Sequence, residues 1–423
     1  MSKNKIISAI DIGTTKITTL ISSVNEEEDK ISVIGVSSTD SKGLRKSQIV
    51  DIDEAIESIT QSVESAERMA GYSISSCLTS ISGSHIESVN SKGVVAVAQP
   101  DDEISDHDVN RVIEAARAVS LPSSREILHV IPRDFKVDSQ EGVKDPVGMS
   151  GIRLEAEGHI ITGSSTAMRN ISKCVSEIGV EVESLVFTGL ASSQAVLTST
   201  EKELGVVLVD IGGGSTSVTI FVEGSLSYSA VLPVGAKNIT NDLAIGLRVS
   251  LETAEKIKLG LSKVSKNPDE EDADELNPKD LGLGDEVNKL SRKTLTEGII
   301  RPRLNEIFNM VGEELKKSGF GGATPAGVVI TGGGALTTGV IDSCKRSLSL
   351  PARVGFPKGL SGLVDEIKSP AFATSWGLIQ YGLKNYKGVK SGPSLKSVTN
   401  ILGKLPLKGT LGKGLKLIKS FLP

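Results

Sequence analysis

Two near-copies of one phrase constrain this chain more than anything else in it: DIGTTKITTLI at 11–21 and DIGGGSTSVTI at 210–220. Each follows a β-type apolar run, IISAID or GVVLVD, and passes through a small-residue turn into a second run with alternating β-branched residues, KITTLI or TSVTIF. The pattern predicts strand, tight turn, strand. Glycine accepts positive φ and has no Cβ, so Gly13 and Gly212, Gly213 and Gly214 would let backbone N–H groups approach phosphate oxygens closely. Thr14, Thr15, Ser215 and Thr216 can add hydroxyl donors, and Lys16 can neutralise a β- or γ-phosphate. Asp11 and Asp210, at the strand ends, are candidate holders of Mg2+ through water, because that ion prefers oxygen ligands and keeps much of its hydration. A single such hairpin reads better as an ordinary glycine-rich turn. Two copies imply a duplicated α/β domain whose halves clamp one triphosphate from both sides. No GxxxxGK[ST] occurs and the GGG turn enters a strand rather than a helix, which disfavours P-loop and Rossmann readings.

A third glycine cluster, VVITGGGALTTGV at 328–340, follows another short apolar strand and precedes a plausible helix. Gly332, Gly333 and Gly334 would let backbone lie flat against an adenine or ribose. Between the second and third clusters, in TAEKIKLGLSKV, Glu255 and Lys258 fall one helical turn apart on one face, which by itself reads as a solvated salt bridge.

At 423 residues the chain is too long for one ordinary core, so two or more domains are expected. A net charge of −5 and 3% aromatic residues argue against nucleic acid as a partner. Cys77, Cys174 and Cys344 form neither CxxC pairs nor a disulfide framework and read as buried small hydrophobes in a reducing cytoplasm. His85, His107, His129 and His159 lack metal-ligand spacing, and structural roles are expected for them. No run approaches the ~18 apolar residues that span a bilayer, and Asp11 interrupts the apolar start, so no signal peptide is expected.

The order and spacing of the three clusters resemble the actin, Hsp70 and sugar-kinase superfamily, with two phosphate motifs and an adenosine motif. That resemblance implies an α/β, actin-like ATPase fold of two duplicated α/β domains binding ATP and Mg2+. It sets Glu255 and Lys258 beside the nucleoside and makes TGLASSQAVL (188–197) and SPAFATSWGLIQYG (369–382) the two helices at the hinge. Gln194 lies where actin has a water-orienting glutamine, which makes Gln194, Asp210 and Asp11 candidates for slow hydrolysis; the alternative is a polar hinge residue.

Within the superfamily, EILHVIPRDFKVDSQEGVKDPVGMSGIRLEAEGHIITG (126–163) is similar to the bacterial cell-division FtsA family, whose subdomain 1C replaces the 1B of actin. By that resemblance residues 1–83, 164–195 and 370–385 form subdomain 1A, 84–163 form 1C, 196–237 and 328–369 form 2A, and 238–327 form 2B. Pattern alone reads 84–163 as an α+β insertion that contacts another protein. In the family, 2B receives the C-terminal tail of the tubulin-like FtsZ, which makes Arg292, Lys293 and Arg303 candidate contacts; otherwise they are basic residues facing water. The acidic stretch 267–280 has the composition of a solvated loop.

From Lys384 onward there are nine Lys and no Asp or Glu. After a linker at 386–404, residues 405–423 form a basic amphipathic pattern: Leu411, Leu415, Ile418, Phe421 and Leu422 are the apolar candidates for membrane insertion, with Lys413, Lys416 and Lys419 opposite. Gly409, Gly412 and Gly414 weaken the helix before it binds a surface. The pattern alone leaves a membrane anchor and a partner-docking helix open, and the resemblance favours the anchor on anionic lipid. The expected function is an ATP-dependent, filament-forming adaptor at the cytoplasmic face of the cell membrane. It would tether FtsZ at the division site and meet later division proteins. A sugar or metabolite kinase and a pilus-biogenesis scaffold ATPase of the same superfamily are the alternatives.

Overall fold

The computed structural model describes residues 5–25, 30–97, 103–264, 275–276, 290–359, 361–363, 365 and 367–389. The chain forms two compact units, Met1–Tyr381 and Gly382–Pro423. All three large sheets belong to the first. Of the second, residues 382–389 are helical. The tail at 405–423, and with it every proposed lipid contact, lies outside the described residues, as does most of the acidic stretch.

The duplication is visible in sheet topology. One five-stranded sheet runs Glu181–Phe187, Ser76–Ile81, Lys5–Ile12, Lys16–Asn25 and Lys30–Asp40 in spatial order. The other runs Ala352–Val354, Val328–Thr331, Val206–Ile211, Thr216–Val222 and Ser225–Leu232. In both, an antiparallel three-stranded meander is extended by two parallel strands on the side of its first strand. Each copy of the repeated phrase is the tight turn of such a meander, with Ile12 opposite Ile17 in one and Ile211 opposite Thr216 in the other.

Each sheet has its own core. Helix Ile52–Ala70 lays Ala55, Ile59, Val63 and Ala66, spaced three to four apart, on the first sheet. Asp51 caps its start by accepting from the Glu54 N–H, and left-handed Gly71 ends it. The second sheet buries Val207, Val209, Ile220 and Ile330 under Leu304, Ile307, Phe308 and Val311 of helix Arg301–Ser318. Cys77, Cys174 and Cys344 are free and buried in these two cores. Helices Thr188–Val196 and Ala373–Val389 cross where a Cβ on Gly377 would overlap the Ala191 carbonyl, so glycine sets their closeness.

Strands Glu87–Ala96, Arg153–Ser164, Arg125–Val137 and Gln140–Val143 make a separate antiparallel sheet with helix Asp106–Arg117 upon it. Gly93 allows the contact, since a Cβ there would run into the helix backbone at Val112. This insertion also reaches the outer strand of the second sheet: Ser88 donates to Ser229 O at 2.7 Å, and Asn90 to Ser227 O at 3.2 Å. Among the described residues, no helix is long and apolar enough to cross a membrane.

Candidate functional site

Each repeated turn closes on itself in the same way. Gly13 N donates to Lys16 O at 3.1 Å, and Gly212 N donates to Ser215 O at 2.9 Å. The two turns face one another across a cleft of about 770 Å³, within the range of small-molecule sites. They also touch. A Cβ on Gly213 would overlap Thr15, and one on Gly214 would come within 2.6 Å of Thr14 Oγ1, so bare backbone in one turn receives the threonines of the other.

At the base of the turns, Asp11 and Asp210 line the cleft. Burial, and then the nearby Asp11, push the Asp210 carboxyl up to about 6, against hydrogen bonds from Ser192 and Thr374. Burial likewise raises Asp11, opposed by its hydrogen bond from Ser80 and by the Lys16 ammonium. Ser80 Oγ donates to Asp11 Oδ1 at 2.7 Å and Thr374 Oγ1 to Asp210 Oδ2 at 3.1 Å, leaving carboxylate lone pairs unused. Two neighbouring carboxyls, Asp210 buried and Asp11 partly buried, form a donor set suited to a hard divalent cation, and they fit Mg2+ held through water. Lys16 Nζ lies 3.8 Å from the centroid of the Phe372 ring, and burial lowers its pKa to about 8.

The third glycine cluster forms another wall. Gly332 has φ +82°, and a Cβ there would overlap Asp210 Oδ1, so the position demands glycine twice over. A 3-10 turn, Gly333–Leu336, follows before helix Val340–Leu348. Opposite it, Lys258 is only 7% exposed, and its Nζ donates to Glu255 Oε2 at 2.7 Å and Thr240 Oγ1 at 2.8 Å. Both residues line the cleft, with Lys258 buried and the Glu255 side chain 42% exposed. Leu251, Leu259 and Leu336 are about half exposed there, an apolar surface of the kind that receives a planar base.

Four sequence assignments change. Thr216 does not line the cleft: its Oγ1 donates to Val234 O at 2.8 Å, and strand alternation sends Ser215 and Ser217 to the cleft instead. Gly214 does not line it either, because Thr14 covers it. On helix Thr188–Val196, Thr188 lines the cleft and Ser192, one turn on, bonds Asp210; Gln194, two residues further, is turned about 200° from Ser192. Gln194 therefore does not line the cleft, and its Nε2 donates to Ser193 Oγ at 3.4 Å. Arg303 grips Asp242 with a two-nitrogen fork (2.6 and 2.9 Å) and Glu306 with its third nitrogen, a structural tie rather than an open basic contact. Among the described residues Arg292 Nη2 is buried with no hydrogen-bond partner, and Lys293 is exposed beside it.

Ser47, Ser80, Ser82 and Thr374 were not identified from sequence. None carries a local motif, and each reaches the site from an element distant in the chain.

Family comparison now decides kinship. A family model described as "SHS2 domain inserted in FTSA" matches residues 83–162, and one described as "Cell division protein FtsA" matches 207–377. The "Cell division protein FtsA" of Pseudomonas aeruginosa is 38% identical over 395 residues, covering 91% of each chain. The chain belongs to the FtsA family. The FtsA of Borreliella burgdorferi is 40% identical over 381 residues, 90% of this chain and 91% of that one. This FtsA-family chain is an actin-like cell-division protein. Among solved structures, the "PilM-PilN type IV pilus biogenesis complex" matches with a TM-score of 0.61 at 15% identity, covering 89% of this chain and 98% of that one. MreB5 of Spiroplasma citri bound to AMPPNP matches with 0.55 at 13% identity, covering 93% and 100%. These two likenesses bear on the fold alone, and they agree with the duplicated sheets.

Proposed function

We propose that this FtsA-family protein binds Mg-ATP between its two sheets, polymerises on the cytoplasmic face of the cell membrane and anchors FtsZ there during septum formation. One observation carries the nucleotide part: both Asp-Gly hairpin turns, one from each sheet, line a single cleft with the Gly332–Gly334 backbone and the buried Lys258. Gly13, Thr14, Thr15, Lys16, Gly212, Gly213 and Ser215 would hold phosphates. Glu255 and Lys258 would hold the ribose, with Leu251, Leu259 and Leu336 against the base. Asp11 and Asp210 would hold Mg2+ through water; the ion supplies charge neutralisation for the phosphate oxygens when bound.

The chain's own residues prepare that site. Ser80 and Thr374 fix the two carboxylates by donating to one oxygen each, and the Phe372 ring keeps Lys16 within the cleft. For the FtsZ tail, an acidic peptide, Arg292 and the exposed Lys293 are the favoured contacts. The chain would divide into subdomains 1A, 1C, 2A and 2B, with later division proteins meeting 1C. The lipid anchor is assigned to 405–423 from its pattern of leucines and lysines.

Co-sedimentation with anionic liposomes in Mg-ATP tests the adaptor reading, comparing the full chain with one ending at Lys404. The full chain pellets with lipid and carries an FtsZ C-terminal peptide with it, while the shortened chain stays in the supernatant. Equal behaviour of the two chains would remove 405–423 as the anchor.

A further inference from the structure

Between the first meander and helix Ile52–Ala70 the chain makes a small hairpin, Leu44–Arg45 against Gln48–Ile49, closed by Lys46 and Ser47. Two-residue turns of this kind need positive φ at both central positions and usually carry Asn-Gly or similar pairs. Here the two residues are neither. Lys46 has φ +49° and Ser47 φ +60°, a region that side chains with a Cβ occupy rarely. A residue held in such a conformation is most often retained for what it touches.

Ser47 touches both phosphate turns. Its backbone N donates to Thr14 Oγ1 at 2.8 Å, and its hydroxyl lies 3.3 Å from the same oxygen. That hydroxyl also lies 2.7 Å from Ser215 Oγ in the opposite turn. Ser47 lines the cleft yet belongs to neither repeated phrase. Ser82 continues the chain of hydroxyls on the second side, 3.5 Å from Ser215 and 3.3 Å from Ser217. A phosphate lodged between the turns would compete with Ser215 for the single proton of the Ser47 hydroxyl. Because Ser47 bridges the two turns, the phosphate it would meet is the one reaching furthest between them, which a diphosphate lacks.

We propose that Ser47 reads the terminal phosphate: its hydroxyl exchanges Ser215 for a γ-phosphate oxygen, so that the preference of the cleft for ATP over ADP resides in this side chain. The proposal rests on the nucleotide reading given above.

Equilibrium binding of Mg-ATP and Mg-ADP to the full chain and to its Ser47→Gly and Ser47→Ala variants tests it, with thermal midpoints measured in parallel. Glycine suits the left-handed turn, so Ser47→Gly should melt no earlier than the parent. Its affinity for ATP should fall about tenfold, one lost charge-assisted hydrogen bond, with ADP affinity unchanged. Ser47→Ala should show the same loss of preference whatever its stability. A merely structural serine would weaken both nucleotides together, and that parallel loss, or an intact ATP preference in both variants, overturns the assignment while leaving the nucleotide site standing. If the parent binds neither nucleotide, the site and the assignment fall together.

Discussion

The imidazole of His159, on the inserted sheet, joins Ser229 on the outer strand of the second five-stranded sheet, with Nε2 3.0 Å from the serine Oγ. Its other nitrogen lies 2.7 Å from Asn90 Oδ1, and Asn90 is oriented by its own donation to Ser227 O. The amide oxygen must therefore accept from Nδ1–H, which leaves Nε2 as the acceptor for the Ser229 hydroxyl. The ring is neutral in this arrangement. Burial, with Arg133 nearby, lowers its pKa to about 3, and burial alone lowers that of His129 to about 4.

A base with a depressed pKa in the folded state stabilises fully above its unfolded value near 6.5, and that stability is lost as pH falls toward the folded value. Between pH 7.5 and 5 each histidine should cost about 2 kcal/mol. Asp210, raised to about 6, works in the opposite sense, its contribution present at low pH and lost as pH rises through 6. The comparison is therefore made between chains. Urea midpoints of His159→Gln should lie below the parent at pH 7.5 and converge toward it at pH 5. Parallel curves would mean that His159 does not titrate on unfolding.

Gly332 and Gly339 have nearly equal φ, +82° and +80°, but only at Gly332 would a Cβ meet neighbouring atoms. Gly339→Ala should cost about 1 kcal/mol, the left-handed term alone. Gly332→Ala should cost more, about 2–4 kcal/mol, because Asp210 must also move, and it should abolish nucleotide binding. Thermal melts with and without Mg-ATP separate the two; equal losses would deny the close packing on Asp210.

Asp210→Asn removes one of two neighbouring like charges. In EDTA at pH 8 it should be as stable as the parent or more so, by up to about 3 kcal/mol, since the parent must keep a raised carboxyl ionised. The rise in melting temperature that Mg-ATP gives the parent should vanish. Retention of that rise would place the ion elsewhere.

Gln194→Ala should leave the rate of phosphate release where it is in the parent, because Ser192 and not Gln194 adjoins Asp210. Thr374→Ala, which deprives Asp210 of one of its hydroxyl donors, should weaken Mg-dependent nucleotide binding. A slowed Gln194 variant would show that the helix turns on loading.

Much of the site was legible because its chemistry is written in local pattern. Alternating β-branched residues on both sides of a glycine turn that follows Asp-Ile favour a hairpin, so the hairpins and their carboxylates are readable in the sequence. The errors have one origin. Whether Thr216 or Ser217 faces the cleft depends on which face of a buried sheet the cleft occupies, and whether Ser192 or Gln194 meets Asp210 depends on the rotation of a helix about its axis. Arg303 was read as open because its partner Asp242 lies 61 residues away.

What the sequence by itself determined is the duplication: two strand-turn-strand phrases, a third glycine turn and a basic tail, each a local matter of propensity, periodicity and charge. Tertiary structure alone decided which side chains the two halves share. Lys258 became buried against Glu255 and Thr240 in the cleft wall, Asp11 and Asp210 became neighbours because two sheets converge, and Ser47 joined two turns from a hairpin that belongs to neither. Those relations depend on distances between residues far apart in the chain, and local pattern carries no measure of such distances.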